Sequence, residues 1–270
     1  MRFIHMSGRN RYFGTVEQQG LERRADLLWQ IVKDDPSYCF HGRAVGLLKR
    51  RAVDVGAQIA LARLQGLGPS PQLTPETIEA RISEIESADL SVEVQQRWSA
   101  DELGVTMSRD FLRNSALPTE LTVYEIGINT SDEEFDKIDD LTQSCGILLP
   151  SSAFLRGDAG PAVCLFAKTS DGRVIGFAAA LVQATCAPSE QGKVWWGFLS
   201  TSDEWRGRGI AKVLGAMAMV SMADRYGLSN FETGILSENA ASIAVSKKLG
   251  FSTSGLLDLL AIDAQTLSKG

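Results

Sequence analysis

A glycine-rich turn between a strand-like and a helix-like segment constrains this chain more than any other feature. The turn covers residues 203–209 and reads Asp-Glu-Trp-Arg-Gly-Arg-Gly. The residues before it, Lys193 to Thr201, are aromatic and apolar and predict a strand. The apolar residues after it recur at helical spacing and predict a helix; they are Ile210, Val213, Leu214, Met217 and Val220. The sequence therefore places a glycine turn at the N-terminus of a helix.

A turn of this kind suits a phosphate group. The first backbone N–H groups of a helix have no partner within the helix, and the helix dipole adds partial positive charge there. Gly207 and Gly209 allow the backbone to approach a ligand because they carry no side chain. These features together predict an anion site.

The spacing of the glycines excludes two common nucleotide-binding turns. It fits neither the P-loop pattern nor the Gly-x-Gly-x-x-Gly pattern of dinucleotide folds. Residues 206–211, Arg-Gly-Arg-Gly-Ile-Ala, resemble the Arg/Gln-x-x-Gly-x-Gly/Ala pyrophosphate loop of the GNAT acyltransferases, with Ala211 in the last position. The alternative is a surface turn with two arginines in solvent.

A second segment resembles the same superfamily. Residues 239–251 begin with Asn239 and end in Leu-Gly-Phe, which is similar to the Asn-x-x-Ala/Ser…Leu-Gly-Phe helix of GNAT enzymes. Gly250 is typical of a left-handed helix stop, and Phe251 of a residue that packs the returning chain. An ordinary buried helix ending in glycine is the alternative. Two such segments in the family's order favour a GNAT-like fold.

The resemblance implies a site for acetyl-CoA as cosubstrate. In the family, two neighbouring parallel strands splay apart and the first pairs with the pantetheine arm; here these are Phe198–Thr201 and Asn230–Leu236. A backbone N–H near Leu199 or Ser200 would polarise the thioester carbonyl. The implied cofactor-binding residues are Leu199, Ser200, Thr201, Arg206, Gly207, Arg208, Gly209, Ile210, Ala211 and Asn239. No metal is implied.

The catalytic groups are less well marked. The family's general acid is a Tyr seven residues after the Asn, and here Ser246 occupies that position. A serine hydroxyl is a poor proton donor, so it acts through water or CoA leaves as thiolate. Glu232, on the second splayed strand, is the candidate general base. Phe154 and Arg156, in the 144–160 loop, are candidates for acceptor recognition.

Charge and composition narrow the class of protein. Residues 1–118 balance to zero, so the whole net charge of −6 lies in residues 119–270. An acidic surface favours cationic amines and disfavours nucleic acid, although plain solubility explains it equally well. The four cysteines are scattered and there are only two histidines, which leaves little for a structural zinc site or a Ser-His-Asp triad. Free thiols, and the lack of a signal peptide or a membrane-length apolar run, predict a cytoplasmic protein.

The first 117 residues predict a mostly helical domain of unknown role. Helices are expected over Val16 to Val32, over His41 to Leu64, and from Thr74-Pro75 onward, with a linker at residues 66–71. Residues 99–113 superficially resemble a helix-turn-helix, but Asp110 falls where an apolar residue is required. An appendage that docks on the catalytic domain or forms a homodimer is the better interpretation.

Residues 118–270 predict the GNAT-like domain, a mixed sheet flanked by helices, and the whole chain is of the α/β (α+β) class. Family members usually have two strands after the Gly-Phe, yet only nineteen residues follow Phe251. One strand fits, Leu256 to Ile262. The second is expected to be absent, or replaced by another part of the chain or by a second subunit.

The functional hypothesis is an N-acetyltransferase that moves an acetyl group from acetyl-CoA to a primary amine by direct attack. The acceptor is a small molecule or a protein amine. Two alternatives remain: a catalytically degenerate acyl-CoA sensor, suggested by Ser246, and a DNA-binding regulator with an acyltransferase-like effector domain, suggested by residues 99–113.

Overall fold

The fold centres on one eight-stranded mixed sheet with helices on both faces. The computed structural model describes residues 10–48 and 54–269. The helices within these ranges are α1 Val16–Val32, α2 Val55–Gln65, α3 Pro75–Glu86, α4 Glu102–Arg113, α5 Asp132–Ser144, α6 Ser152–Leu155, α7 Ile210–Tyr226, α8 Ala240–Lys248 and α9 Ala264–Lys269. The strands are β1 Tyr38–Phe40, β2 Val45–Leu47, β3 Leu67–Leu73, β4 Ser91–Ala100, β5 Leu121–Glu125, β6 Ala162–Thr169, β7 Val174–Val182, β8 Lys193–Thr201, β9 Asn230–Ile235 and β10 Ser252–Ile262.

The order of strands in the sheet is β3-β10-β4-β9-β8-β7-β6-β5. The pairing of β8 with β9 is parallel, and each of the other neighbouring strands pairs antiparallel. The mixed sheet flanked by helices confirms the expected fold class. The predicted strand at Lys193–Thr201 is confirmed with the same bounds.

Side chains of the central strands alternate between two hydrophobic cores, as the period of a strand requires. On one face, Val163, Leu165 and Ile175 pack with Leu214 of α7. On the other face, Phe166 and Phe177 pack with helices α1, α5 and α6 and with strands β1 and β2. Helices α7, α8 and α4 lie on the first face, so the glycine turn before α7 opens on that side.

The missing strand of the GNAT-like domain is supplied by the N-terminal part of the chain. Strand β4 lies between β9 and β10 and pairs antiparallel with both. Strand β3 then pairs with the far side of β10 and forms the edge of the sheet. Of the alternatives left open, replacement by another part of the chain is confirmed.

Several expectations for the first 117 residues need correction. The predicted helix His41–Leu64 is wrong over its first part: β1 and β2 form a hairpin there, the helix begins at Val55, and residues 49–53 lie outside the described residues. The predicted linker at 66–71 is strand β3. The segment 99–113 is the end of β4 followed by a single helix, so it is not a helix-turn-helix.

Other expectations for this region hold. Helix α1 has the predicted bounds and is capped by a reciprocal pair between Thr15 and Gln18. Helix α3 begins with Thr74 and Pro75 as predicted. The division of the chain at residue 117 stays a prediction, and strands from both sides of that position share one sheet. Among the residues described, no helix combines the length and apolar character needed to cross a membrane.

Candidate active site

The two central parallel strands separate near their middle. Strands β8 and β9 pair at three positions only, from Lys193 opposite Asn230 to Trp195 opposite Glu232. Beyond Trp195, β8 stays paired with β7 through an irregular register, and Phe198 has a left-handed φ of 56° at that irregularity. The second half of β8 therefore has an edge that β9 does not cover, as the splayed-strand expectation requires.

Backbone N–H groups of successive residues in the second half of β8 point alternately toward β7 and toward the open edge. Ser200 lies opposite Phe177, and the Ser202 N–H donates to Ile175 O at 3.0 Å. Because hydrogen-bonding groups alternate along a strand, the N–H groups of Leu199 and Thr201 point away from β7. Leu199 and Thr201, rather than Ser200, offer their backbone to the open edge.

The glycine turn beyond β8 leads into a helix start that no side chain of the described residues caps. Gly207 and Gly209 have φ values of +78° and +77°, and Gly209 is the N-cap of α7, with no side chain capping it. A Cβ added at either glycine would meet no atom within 4 Å, so the space in front of them is open. Ile210 is buried against the core, whereas Ala211 is half-buried at the helix start. This is the geometry of an anion site at a helix N-terminus.

The two arginines of the turn are exposed. Arg206 forms an ion pair with Asp203 at 2.8 Å, and the Arg208 guanidinium lies 4.4 Å from the centre of the Trp205 ring. Trp205 is buried in the core and fixes the base of the turn. Both cations remain available to a negatively charged ligand, because neither is held in a buried pair.

The start of α8 lies beyond the C-terminal end of β9. Asn239 is exposed and caps α8, its side chain accepting from the Ser242 N–H at 3.0 Å. The predicted contact of Asn239 with pantetheine stays a prediction. Ser246, by contrast, is 1% exposed, and its Oγ has no hydrogen-bond partner among the described residues. The hydroxyl is thus buried without a donor or acceptor in the described part of the chain, and the role of Ser246 as the general acid stays a prediction.

Glu232, the candidate base, is already engaged by two cations. It pairs with Arg97 of β4 through a short contact, and its other oxygen lies 3.4 Å from Lys193 Nζ. Arg97 also holds Asp258 of β10, with Nη1 at 2.8 and 2.9 Å from the two carboxylate oxygens. Burial by itself would lower the pKa of Arg97, but Asp258 and Glu232 raise it above its usual value. Glu232 thus belongs to an ionic network with Arg97, Lys193 and Asp258, and its role as general base stays a prediction.

A cavity of about 210 Å³ lies on the opposite face of the sheet from α7. Phe198 and Trp195, at the point where β8 leaves β9, form one wall, and β3, β4 and the β1–β2 hairpin form others. Phe154 lines this cavity, as its candidate role requires, whereas Arg156 instead lies 4.9 Å from the centre of the Phe135 ring.

His41 is the one cavity residue with a titratable ring, and sequence reasoning missed it. Nδ1 lies 2.7 Å from Gln183 Nε2 and Nε2 lies 3.1 Å from Cys39 Sγ. An amide NH₂ only donates, so Nδ1 accepts and the ring proton is on Nε2. Burial and the nearby Arg97 charge lower the pKa of His41 to about 4, so the ring is neutral near pH 7. The rarity of histidine in the chain was the only signal available.

Comparison with known proteins bears on this geometry. Residues 131–251 match the acetyltransferase (GNAT) family. This part of the chain is similar to a GNAT acetyltransferase domain. The match contains the glycine turn, the splayed strands and α8, and it ends at Phe251, before β10 begins.

Solved structures show the same fold over more of the chain. A GCN5-related N-acetyltransferase from Kribbella flavida is 13% identical, covering 92% of this chain and 98% of that one, with a TM-score of 0.52. A tandem GNAT protein from the clavulanic acid biosynthesis pathway is 16% identical, covering 78% and 69%, with a TM-score of 0.51. A Drosophila protein is 12% identical, covering 92% and 89%, with a TM-score of 0.53. A comparison with curated proteins gave no match.

The cavity is not built by the residues of the family match alone. His41, Pro69 and Arg97 precede the family match, and Asp258 follows it. The family motifs therefore could not predict these four residues of the cavity wall.

Proposed function

We propose that this protein is an N-acetyltransferase that moves an acetyl group from acetyl-CoA to a primary amine by direct attack. The proposal depends on two features that follow each other in the chain. The uncovered edge of β8 is followed, after the glycine turn, by the uncapped start of α7. An extended ligand with a peptide-like arm and a diphosphate end suits that combination, since the edge pairs with amides and the helix start attracts phosphate.

The residues fit acetyl-CoA as follows. Gly207 and Gly209 leave the space that a Cβ would otherwise fill, and the exposed Arg206 and Arg208 supply positive charge. The backbone of Leu199 and Thr201 would pair with the pantetheine arm. Bound acetyl-CoA supplies the activated acyl group as a thioester.

The chain's own contribution to the chemistry is mainly positional. The Leu199 N–H, pointing to the open edge, would stabilise the oxyanion that develops on the acyl carbonyl. The amine would attack from the cavity side, past Phe198, while the phosphates are held at α7 on the other side of the sheet. Losing one general acid costs roughly 10²–10⁴ in rate, so turnover persists without a proton donor at Ser246.

A catalytically degenerate acyl-CoA sensor is the second candidate. It is favoured by one observation, the buried and unpartnered hydroxyl of Ser246 at the family's acid position. Such a protein would bind acetyl-CoA through the same edge and turn but would release no CoA in the presence of amines.

The test is CoA release, measured with a thiol reagent, using acetyl-CoA and a panel of primary amines. The double variant Arg206→Ala/Gly209→Asp removes a cation and places a carboxylate at the start of α7. Its matched control, Arg225→Ala/Gly227→Asp, makes the same changes at the other end of α7, where Gly227 also has positive φ and open surroundings. We expect amine-dependent release that survives in the control and is lost in the first variant.

Two results would contradict the proposal. Measurable acetyl-CoA binding without release for any amine would favour the sensor. Release that is equal in both double variants would show that the turn before α7 does not hold the cosubstrate.

A further inference from the structure

The cavity on the face of the sheet opposite α7 lies next to the proposed site of acyl transfer, and the two GNAT-like segments of the sequence do not determine what it binds. Two of its residues connect it to the proposed site of acyl transfer. Trp195 is the last residue of β8 paired with β9, and Phe198 is the left-handed residue just beyond the split. Since both line the cavity, its contents lie against the point where the two strands separate. The inference below rests on the proposed function.

The wall of the cavity is mostly apolar. Leu67, Pro69 and Pro71 of β3, Leu181 of β7 and Leu260 of β10 contribute to it together with the two aromatic residues of β8. An apolar cavity of about 150 Å³ is enough to hold benzene. The volume of about 210 Å³ therefore accommodates a benzene-sized group and a short aliphatic chain.

The charged groups around the cavity are already held by other groups of the protein. Arg97 is bound to Asp258 and Glu232. Arg43 donates to Leu149 O at 2.5 Å and lies 3.4 Å from the buried Glu22 carboxyl group, whose pKa is raised by burial to about 8. His41 is neutral, with both ring nitrogens in contact with Gln183 and Cys39. A ligand carboxylate would have to displace the contacts that Arg97 and Arg43 already make, and a second ammonium group would compete with Arg97 for its two carboxylates, so either charge is costly to bury here.

We infer that this cavity is the acceptor site and that its substrate class is compact, mostly apolar primary monoamines without a carboxylate. The same environment favours the uncharged form of such an amine, because burial away from opposite charge penalises an ammonium ion. An uncharged amine is the form that attacks a thioester. The first 117 residues thus act in acceptor selection, since β3, β4 and the β1–β2 hairpin enclose much of the space.

The direct test is binding of 2-phenylethylamine to the full chain by calorimetry, beside phenylalanine and spermidine. Phenylalanine adds a carboxylate to the same skeleton, and spermidine adds further ammonium groups. We expect 2-phenylethylamine to bind at least tenfold more tightly than either, and to show the same order in kcat/KM for CoA release. Equal or tighter binding of phenylalanine or spermidine overturns the inference.

Two cavity variants make the test specific to this space. Ala44→Leu reduces the cavity and Leu260→Ala enlarges it, because both residues line it. The first is expected to weaken 2-phenylethylamine binding about tenfold, and the second to shift the preference toward 4-phenylbutylamine. Acetyl-CoA affinity should change less than twofold in each, which also reports that the variants are folded. Unchanged amine preference in folded Leu260→Ala protein overturns the inference.

Failure of this inference is distinguishable from failure of the proposed function. If 2-phenylethylamine binds as expected but no amine releases CoA, the cavity assignment stands and the transferase proposal fails. If other amines release CoA while 2-phenylethylamine neither binds nor reacts, the transferase proposal stands and the acceptor class is wrong.

Discussion

Arg97 of β4 holds Asp258 of β10 through Nη1, which lies 2.8 and 2.9 Å from the two carboxylate oxygens. Nη2 of the same guanidinium pairs with Glu232 of β9. One side chain therefore connects the inserted strand to both of its neighbours. Arg97 and Asp258 are buried and Glu232 is half-buried, so these charges are stabilised more by one another than by water.

Replacing Arg97 with methionine should destabilise the protein strongly. The change keeps most of the side-chain volume but leaves two carboxylates without their shared cation, which typically costs about 3–5 kcal/mol. The free energy of unfolding from urea titration measures this. Arg109→Met is the control, because the Arg109 pair with Asp224 is at the surface and should contribute little. Equal effects of the two substitutions would show that the network does not hold β4 in place.

Ser246→Ala tests whether the hydroxyl at the family's acid position transfers a proton. Because Ser246 Oγ is buried without a partner, removing it should leave kcat within about twofold and should not destabilise the fold. Steady-state CoA release and thermal unfolding measure the two quantities. A drop in kcat of a hundredfold or more with unchanged stability would support Ser246 as the general acid.

Glu22 should make the protein less stable as the pH rises. Burial raises the pKa of Glu22 to about 8, above its ordinary value of 4.5, although Arg43 opposes the shift. The folded state therefore binds the extra proton, so this stabilisation is complete below pH 4.5 and is lost as the pH rises through about 8. Urea unfolding of the parent protein and of Glu22→Gln at pH 5, 7 and 9 should show a difference that grows with pH in favour of the variant. A constant difference would contradict the assignment.

His41 should show the opposite dependence. Its pKa is lowered to about 4 by burial and by Arg97, below the ordinary value of 6.5, so its stabilisation is present above pH 6.5 and is lost as the pH falls through 4. Proton NMR of the imidazole C–H resonances, assigned by comparison with His41→Gln, measures the titration directly. A midpoint near 6.5 would mean that the ring is open to water and that the cavity is more polar than its lining indicates.

The glycine turn and the strand before it could be predicted from the sequence because short-range signals determine them. Gly207 and Gly209 specify left-handed turns that few other residues adopt, and the strand before them is defined by its aromatic run. The start of α3 could also be predicted from a local signal, since Thr74 and Pro75 by themselves indicate the N-terminus of a helix.

Other parts depended on contacts distant in the chain. Pro69 and Pro71 indicated a linker, yet β3 is a strand because it forms the sheet edge, where a missing N–H is tolerated on the unpaired side. The alanine- and leucine-rich run after His41 favoured a helix, but Gly42, with a φ of +80°, allows a tight hairpin there. The pairing of Glu232 with Arg97 joins residues 135 positions apart, which no local pattern specifies.

The central position of β4 also has a consequence for how the chain is made. A ribosome completes β4 more than a hundred residues before β9 and β10, so both of its edges wait for neighbours that do not yet exist. Closing contacts over such sequence distances slows folding and leaves strand edges open to other chains. The sheet around β4 can therefore close only after β9 and β10 have been synthesised, more than a hundred residues after β4 itself.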